Sequence, residues 1–269
     1  MNKKLITAAV FAGLFASPVS QAENTQTYNI PLSRPGDPIH LDADLSSGSI
    51  RVIGEDRDDV EIEVAGSGGE RRIITPSGAK PIPVSSYALD IEEEDNQIEI
   101  DTEWGSGTVD LTVRVPRRAN LELKTVNDGD ISVTDVTGSL DLDNVNGSIT
   151  ATGIRGTVIA ETVNEDIIVE LLEVTSDEPM ALENGNGNIT VSLPPDFGAE
   201  LWMTSRQQEI YSDFEVELRP NEPVFKRDQQ GNRIEFELEQ KIIALINGGG
   251  TRVTLETRQG EIHIRKVMN

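Results

Sequence analysis

The chain has 269 residues, with 47 acidic side chains against 23 basic ones, a net charge of −24, no cysteine and only 4% aromatics. Such a charge argues against nucleic acid and anionic membrane surfaces as partners and favours cationic partners or divalent ions. The missing cysteines remove disulfides, thiol nucleophiles and a lipidated cysteine, so stability has to come from packing and backbone ladders.

Residues 1–22 read as a secretory signal peptide. Lys3 and Lys4 give the positive start, Leu5 to Phe15 the apolar run, and Ser20-Gln21-Ala22 the small residues before cleavage. The run is too short to span a bilayer, and no later stretch approaches a transmembrane length. Cleavage after Ala22 leaves 21 basic against 47 acidic side chains, or −26. The expected location is outside the cytoplasm, first of all the periplasm, with the cell surface or the medium as alternatives.

Residues 23–269 are expected to form a single all-β domain. Period-two alternation marks strands with one buried face at Ile50-Arg-Val52, Val60-Glu-Ile62-Glu-Val64, Ile98-Glu-Ile100 and Val109-Asp-Leu111-Thr-Val113-Arg-Val115. Residues 66–86, glycine-rich and then carrying Pro76, Pro81 and Pro83, predict a protruding loop.

Segments of similar pattern recur downstream: Leu121–Asn127, Leu140–Asn146, Val158–Asn164, Met180–Asn186, Leu201–Gln207 and Val253–Gln259, with Leu41–Ser47 in the same frame. Each is followed by a second apolar start, at Ile131, Ile149, Ile167, Ile189, Ile210 or Ile262. The steps between the middle copies are 19, 18, 22 and 21 residues. This spacing predicts a parallel single-stack β-solenoid, β-helix- or β-roll-like, with two short strands per coil and strands about 4.8 Å apart. The crossover preference predicts a right-handed coil. Residues 215–240 interrupt the period and predict an inserted hairpin or an irregular coil.

Stacked segments place equivalent residues in columns. Asn127, Asn146, Asn164, Asn186, Gln207 and Gln259 form a structural turn ladder in which amides bond one another. Gly129, Gly147, Gly187 and Gly260 follow it, where positive φ is expected. The next column carries Asp143, Glu161 and Glu183, with Lys124 at one end. Opposed like charges destabilise paired strands, so this acidic column is a candidate Ca²⁺ site, oxygen ligands being the calcium type. The alternative is that the side chains splay into water. Outward hydroxyls line the other strand at Ser132 and Thr134, Thr150 and Thr152, and Thr190 and Ser192, with Ile168 and Glu170 interrupting.

No catalytic residue is assigned. The two histidines, His40 and His263, lie near opposite ends of the chain, and no Gly-x-Ser-x-Gly, His-Glu-x-x-His or phosphate-binding glycine loop is present. No cofactor other than the candidate Ca²⁺ is expected.

The stretch from Val109 through Val115-Pro116 and Leu121-Glu-Leu-Lys-Thr-Val-Asn127 to Ile131, with Asn146-Gly-Ser-Ile149 and Thr257-Arg-Gln-Gly-Glu-Ile262, resembles the bacterial putative-adhesin family of domains of unknown function. The resemblance covers nearly all of residues 23–269 and implies a β-solenoid, often exported; it carries no site residues. The expectation that follows is a non-catalytic cell-envelope protein that binds an envelope protein or matrix component along an elongated acidic face. A structural module joining copies end to end, or a carbohydrate-active β-helix enzyme, are the alternatives.

Overall fold

The computed structural model describes residues 25–67, 89–102, 107–127, 129–175, 177–206, 209–220, 224–227, 234–237 and 241–268. The expected signal peptide, nearly all of the 66–86 loop and Gln207 lie outside these residues. All regular elements among them are strands. The first are β1 (Gln26–Pro31), β2 (Ile39–Ser47), β3 (Ile50–Glu55), β4 (Asp59–Ser67), β5 (Leu89–Glu94), β6 (Gln97–Thr102), β7 (Thr108–Pro116) and β8 (Ala119–Asn127). The middle of the chain forms β9 (Ile131–Thr134), β10 (Thr137–Asn146), β11 (Ile149–Asn164), β12 (Ile167–Glu173), β13 (Met180–Asn186), β14 (Ile189–Leu193), β15 (Ala199–Ser205) and β16 (Ile210–Ser212). The last are β17 (Val216–Arg219), β18 (Val224–Arg227), β19 (Ile234–Glu237), β20 (Ile242–Ile246), β21 (Thr251–Gln259) and β22 (Ile262–Lys266).

Twenty of these strands join in one mixed sheet with two layers. One layer runs β5–β6–β2–β8–β10–β11–β13–β21–β15–β20–β17. The other runs β1–β4–β7–β3–β9–β11–β12–β14–β22–β16. The 16-residue β11 belongs to both: its first half pairs with β9 and β12, its second half with β10 and β13. Through it the sheet turns back on itself and is nearly closed, like a barrel.

This architecture corrects the expectation of a parallel single-stack solenoid with two short strands per coil. Antiparallel pairs make up a substantial part of the sheet: β1–β4 and β4–β7, β5–β6, and β15–β20 with β17–β20. Strand order also departs from chain order, since β2 sits between β6 and β8, and β21 sits between β13 and β15. The physical reason is local. Asp95 and Asn96 both take positive φ, 54° and 65°, the geometry of a two-residue hairpin turn, and so fold β5 back on β6. At Asn247–Gly250 four consecutive positive-φ residues let the chain step from β20 over β15 to β21.

Within 215–240, the run 216–219 pairs with β20, while β18 and β19 form a separate antiparallel pair. Residues 216–219 and 234–237 therefore find different partners rather than each other.

Alternation sets what is buried. Along β8 and β10 every second side chain points in, and Leu121, Leu123, Leu140 and Leu142 are at most 2% exposed. The core is aliphatic, and Phe214 is its single buried aromatic among the described residues. Leu140 lies opposite both Leu121 and Val158, Ala160 lies opposite Leu182, and Val253 lies between Met180 and Leu201.

Candidate partner-binding face

The outward side chains of the first layer concentrate negative charge. Lys124 sits between Asp44 and Asp143; Glu161, Glu183 and Glu256 follow Asp143 strand by strand, and Thr204 ends the column. Asp101 continues it at the other end, beside Asp44. A second column two residues away carries Glu92, Glu99, Asp42, Glu122 and Asp141, before Ile159. Asp42, Glu122 and Asp141 were already in register as the second residues of their segments, while Glu92 and Glu99 join them only through the Asp95–Asn96 turn.

The cation in this array is already engaged, since Lys124 Nζ binds the Glu122 carboxylate. That bond raises the Lys124 pKa and lowers that of Glu122. Elsewhere the array is strained electrostatically. Partial burial between neighbouring strands raises the Glu183 pKa, and the charges of Glu256 and Glu161 add to it. Partial burial likewise raises Asp143, with Asp141 and Asp44 adding and Lys124 opposing. Asp42 is raised by burial and then by Glu122.

A folded-state pKa above the unfolded one means that ionisation costs stability. The cost is absent below the ordinary glutamate range near 4.5 and grows as pH rises above it. Glu183→Gln is therefore expected to stabilise the protein at pH 7 by about 0.5–1 kcal/mol at low salt, the scale of a cross-strand pair. The gain should vanish at about pH 3. Thermal melts at the two pH values check this; a lower Tm at pH 7 would show that the carboxylate has a favourable partner instead.

The candidate Ca²⁺ ligands Asp143, Glu161 and Glu183 lie in register on adjacent strands. Among the described residues, however, no three or more His, Asp or Glu side chains converge to hold a metal ion. The acids are spread along the layer rather than gathered at a point.

The predicted amides sit at strand ends. Asn127 Nδ2 donates to Ser46 O at 3.1 Å and Asn146 Nδ2 to Val126 O at 3.0 Å. Asn164 and Asn186 donate to the Oδ1 of Asn146 and Asn164, at 3.0 and 3.1 Å, and Gln259 lies opposite Asn186. None of these residues has positive φ; their backbone is extended. Of the four glycines expected to need positive φ, Gly187 and Gly260 have it and Gly129 and Gly147 do not. All four share a close approach instead: a Cβ would come within 2.2 Å of a carbonyl oxygen in the neighbouring turn.

A buried polar column supports this turn. Thr125, Asn144, Thr162, Asn184, Thr257 and Ser205 are at most 4% exposed. They donate respectively to the carbonyl oxygens of Gly48, Gly129, Gly147, Glu165, Gly187 and Gly260 at 2.6–3.1 Å. Each is the fifth residue of its segment, and alternation already places the fifth position inward with the first and third, so the signal was available.

On the second layer Ser132 and Thr134 lie beside Thr150 and Thr152, Ile168 and Glu170 intervene, and Thr190 and Ser192 follow. This row continues to His263 and then Tyr211, whose rings stack at 4.9 Å, and His263 Nε2 is 2.8 Å from Glu261. His40 is on β2 in the other layer. Concavity is slight: an open groove of about 420 Å³ lies among Glu200, Arg219, Ile243, Leu245 and Gly248–Gly250, and a depression of about 130 Å³ lies among Asp90, Glu92, Glu99 and Asp101. These last four carboxylates are exposed. Beside the groove, Trp202 is flanked by the Arg252 guanidinium and the Lys241 ammonium, at 3.8 and 3.9 Å from its ring centroid.

Fold and face together define an all-β protein with one strongly acidic sheet surface. No protein-family model matches the chain, and no curated protein matches it. Solved structures do match at low identity. One is a "putative cell adhesion protein" from Clostridium sporogenes, 11% identical, with a TM-score of 0.46, covering 91% of this chain and 100% of that one. Another is a "putative adhesin" from Bacteroides fragilis, 13% identical, with a TM-score of 0.38, covering 92% and 98%. A third is a "putative lipid binding protein" from Parabacteroides distasonis, 8% identical, with a TM-score of 0.29, covering 91% and 97%. No helix among the described residues is long and apolar enough to cross a membrane.

Proposed function

We propose that this protein is an exported, non-catalytic, adhesin-like binding protein of the cell envelope, which engages a protein or matrix partner of cationic character through the acidic face of its first layer. The observation that carries this reading is the run of carboxylates in register from β5 and β6 through β2, β8, β10, β11 and β13 to β21, with Lys124 already bound to Glu122. Like charges held side by side cost stability, and a cationic partner relieves that cost on binding. Among the described residues, the depression of about 130 Å³ beside Asp90, Glu92, Glu99 and Asp101 fits a flat docking face.

Capture of envelope proteins by the wild-type chain, compared with a variant carrying Asp42→Asn, Asp141→Asn, Asp143→Asn, Glu161→Gln and Glu183→Gln, tests the reading. The wild type should retain partners that about 0.5 M NaCl releases and that the variant fails to capture. Equal capture by both proteins would remove the acidic face from the account.

A further inference from the structure

The strand β17 ends the acidic layer, and among the described residues β20 is its one ladder partner. One edge of β17 therefore presents backbone donors and acceptors with no strand beside it among the described residues. Its inner side is also uncovered. Val216 and Leu218 lie opposite Ile246 and Ala244, both 0% exposed, yet they are themselves 43% and 66% exposed.

Two other edges, β5 and β1, carry devices that discourage pairing. On β5, Glu93 points inward and is held by Ser33 N and Oγ and by Asn96 N at 2.9–3.0 Å. On the opposite layer, β1 runs into Pro31, which has no N–H to donate. Within β17 itself there is no inward charge and no proline, and Pro220 follows only after its last residue. Instead its two outward residues, Glu217 and Arg219, carry opposite charges on either side of Leu218.

That order is self-complementary. An antiparallel two-fold passing through Leu218 sets Glu217 opposite the partner's Arg219, and Arg219 opposite the partner's Glu217. It also packs Leu218 against the partner's Leu218. We propose that two copies of this chain pair antiparallel along β17, continuing the sheet across a two-fold axis. The contact is isologous and closes at two. A four-residue edge with three exposed apolar side chains nearby (Val216, Leu218 and Ile242) makes a small interface, so dissociation falls in the micromolar range. The inference does not rest on the acidic face having a partner.

Sedimentation equilibrium on the chain between about 1 and 300 μM is the test. The weight-average mass should rise from one chain toward two. Arg219→Glu and Glu217→Arg should each weaken dimerisation about 5- to 30-fold, because both cross-strand pairs become like-charged. The double exchange of these two residues should restore it to within about 2-fold. Leu218→Lys should abolish it. All sites are on the surface, so an unchanged Tm confirms that the variants fold. A mass of one chain throughout, a dimer indifferent to Arg219→Glu, or a double exchange that fails to rescue would each overturn the proposal.

Discussion

Replacing Gly147 by alanine is expected to lower Tm by about 6–12 °C, the equivalent of about 3 kcal/mol in a protein of this size. The added Cβ would stand 2.0 Å from the carbonyl oxygen of Gly129, 2.8 Å from its carbon and 2.9 Å from Asn144 Nδ2. None of these atoms belongs to a flexible tip. Gly129 O is held by Asn144 Nδ2 at 2.9 Å, and the strands on either side are locked in the ladder. The whole sheet spacing has to give, which a packed interior resists. Conformational strain contributes nothing, since Gly147 does not occupy the left-handed region.

Gly248→Ala makes the contrast. Its φ is +86°, but nothing lies within 4 Å of the new methyl group. Left-handed strain alone costs about 1–2 kcal/mol, or about 2–8 °C. Thermal melts of the two variants followed by circular dichroism separate crowding from strain. If Gly147→Ala melted no lower than Gly248→Ala, the tight approach between turns would not be a stability determinant.

The second large effect is expected at Asn144, which is 1% exposed. Its Nδ2 donates to Gly129 O at 2.9 Å and approaches Ser148 O at 3.4 Å, while its Oδ1 is buried without a partner. Asn144→Asp keeps the shape and replaces the donor with a second oxygen. Ionised, the side chain then faces backbone carbonyls with no counter-ion, and the loss at pH 7 should reach about 3 kcal/mol or more. The protonated acid regains one O–H donor toward Gly129 O. The folded pKa is thus pushed above the ordinary aspartate value, and the penalty grows as pH rises above about 4. The deficit relative to wild type should therefore be large at pH 7 and shrink on acidification, as urea unfolding at both pH values measures. Thr162→Val, which removes the hydroxyl bonded to Gly147 O and Asn164 O at 3.0 and 2.8 Å, should cost about 1–2 kcal/mol at either pH. A pH-independent deficit for Asn144→Asp would mean that water reaches the column.

Alternation in the sequence identified the strands and their buried sides: Val60–Val64, Val109–Val115 and Leu140–Leu142 bury the residues that period two selects. It also lined up Asp143 with Glu161 and Glu161 with Glu183. Direction and neighbour were another matter. A period of two says which way a side chain points but not which strand lies alongside or whether it runs the same way. That is why Val253–Gln259, last in the chain among the matching segments, appears between Met180–Asn186 and the 201–205 strand, giving Glu183 the neighbour Glu256 rather than Thr204. The antiparallel ends had local signals in Asp95-Asn96 and Asn247-Gly248, but these short turns lie outside the segment spacing that dominated the reading. The inward place of the buried Thr and Asn column was legible in the same alternation, and only its carbonyl partners lay beyond the pattern.

The long strand β11 has a mechanical consequence. Because it leaves one layer and enters the other through a bulge at Gly153 (φ +69°) without breaking as a strand, neither layer can be peeled away without pulling on a segment that the other also grips. Fraying from the outer strands can run inward only as far as this strut, so amide protons between Ile149 and Ala160 should be the last to exchange with solvent.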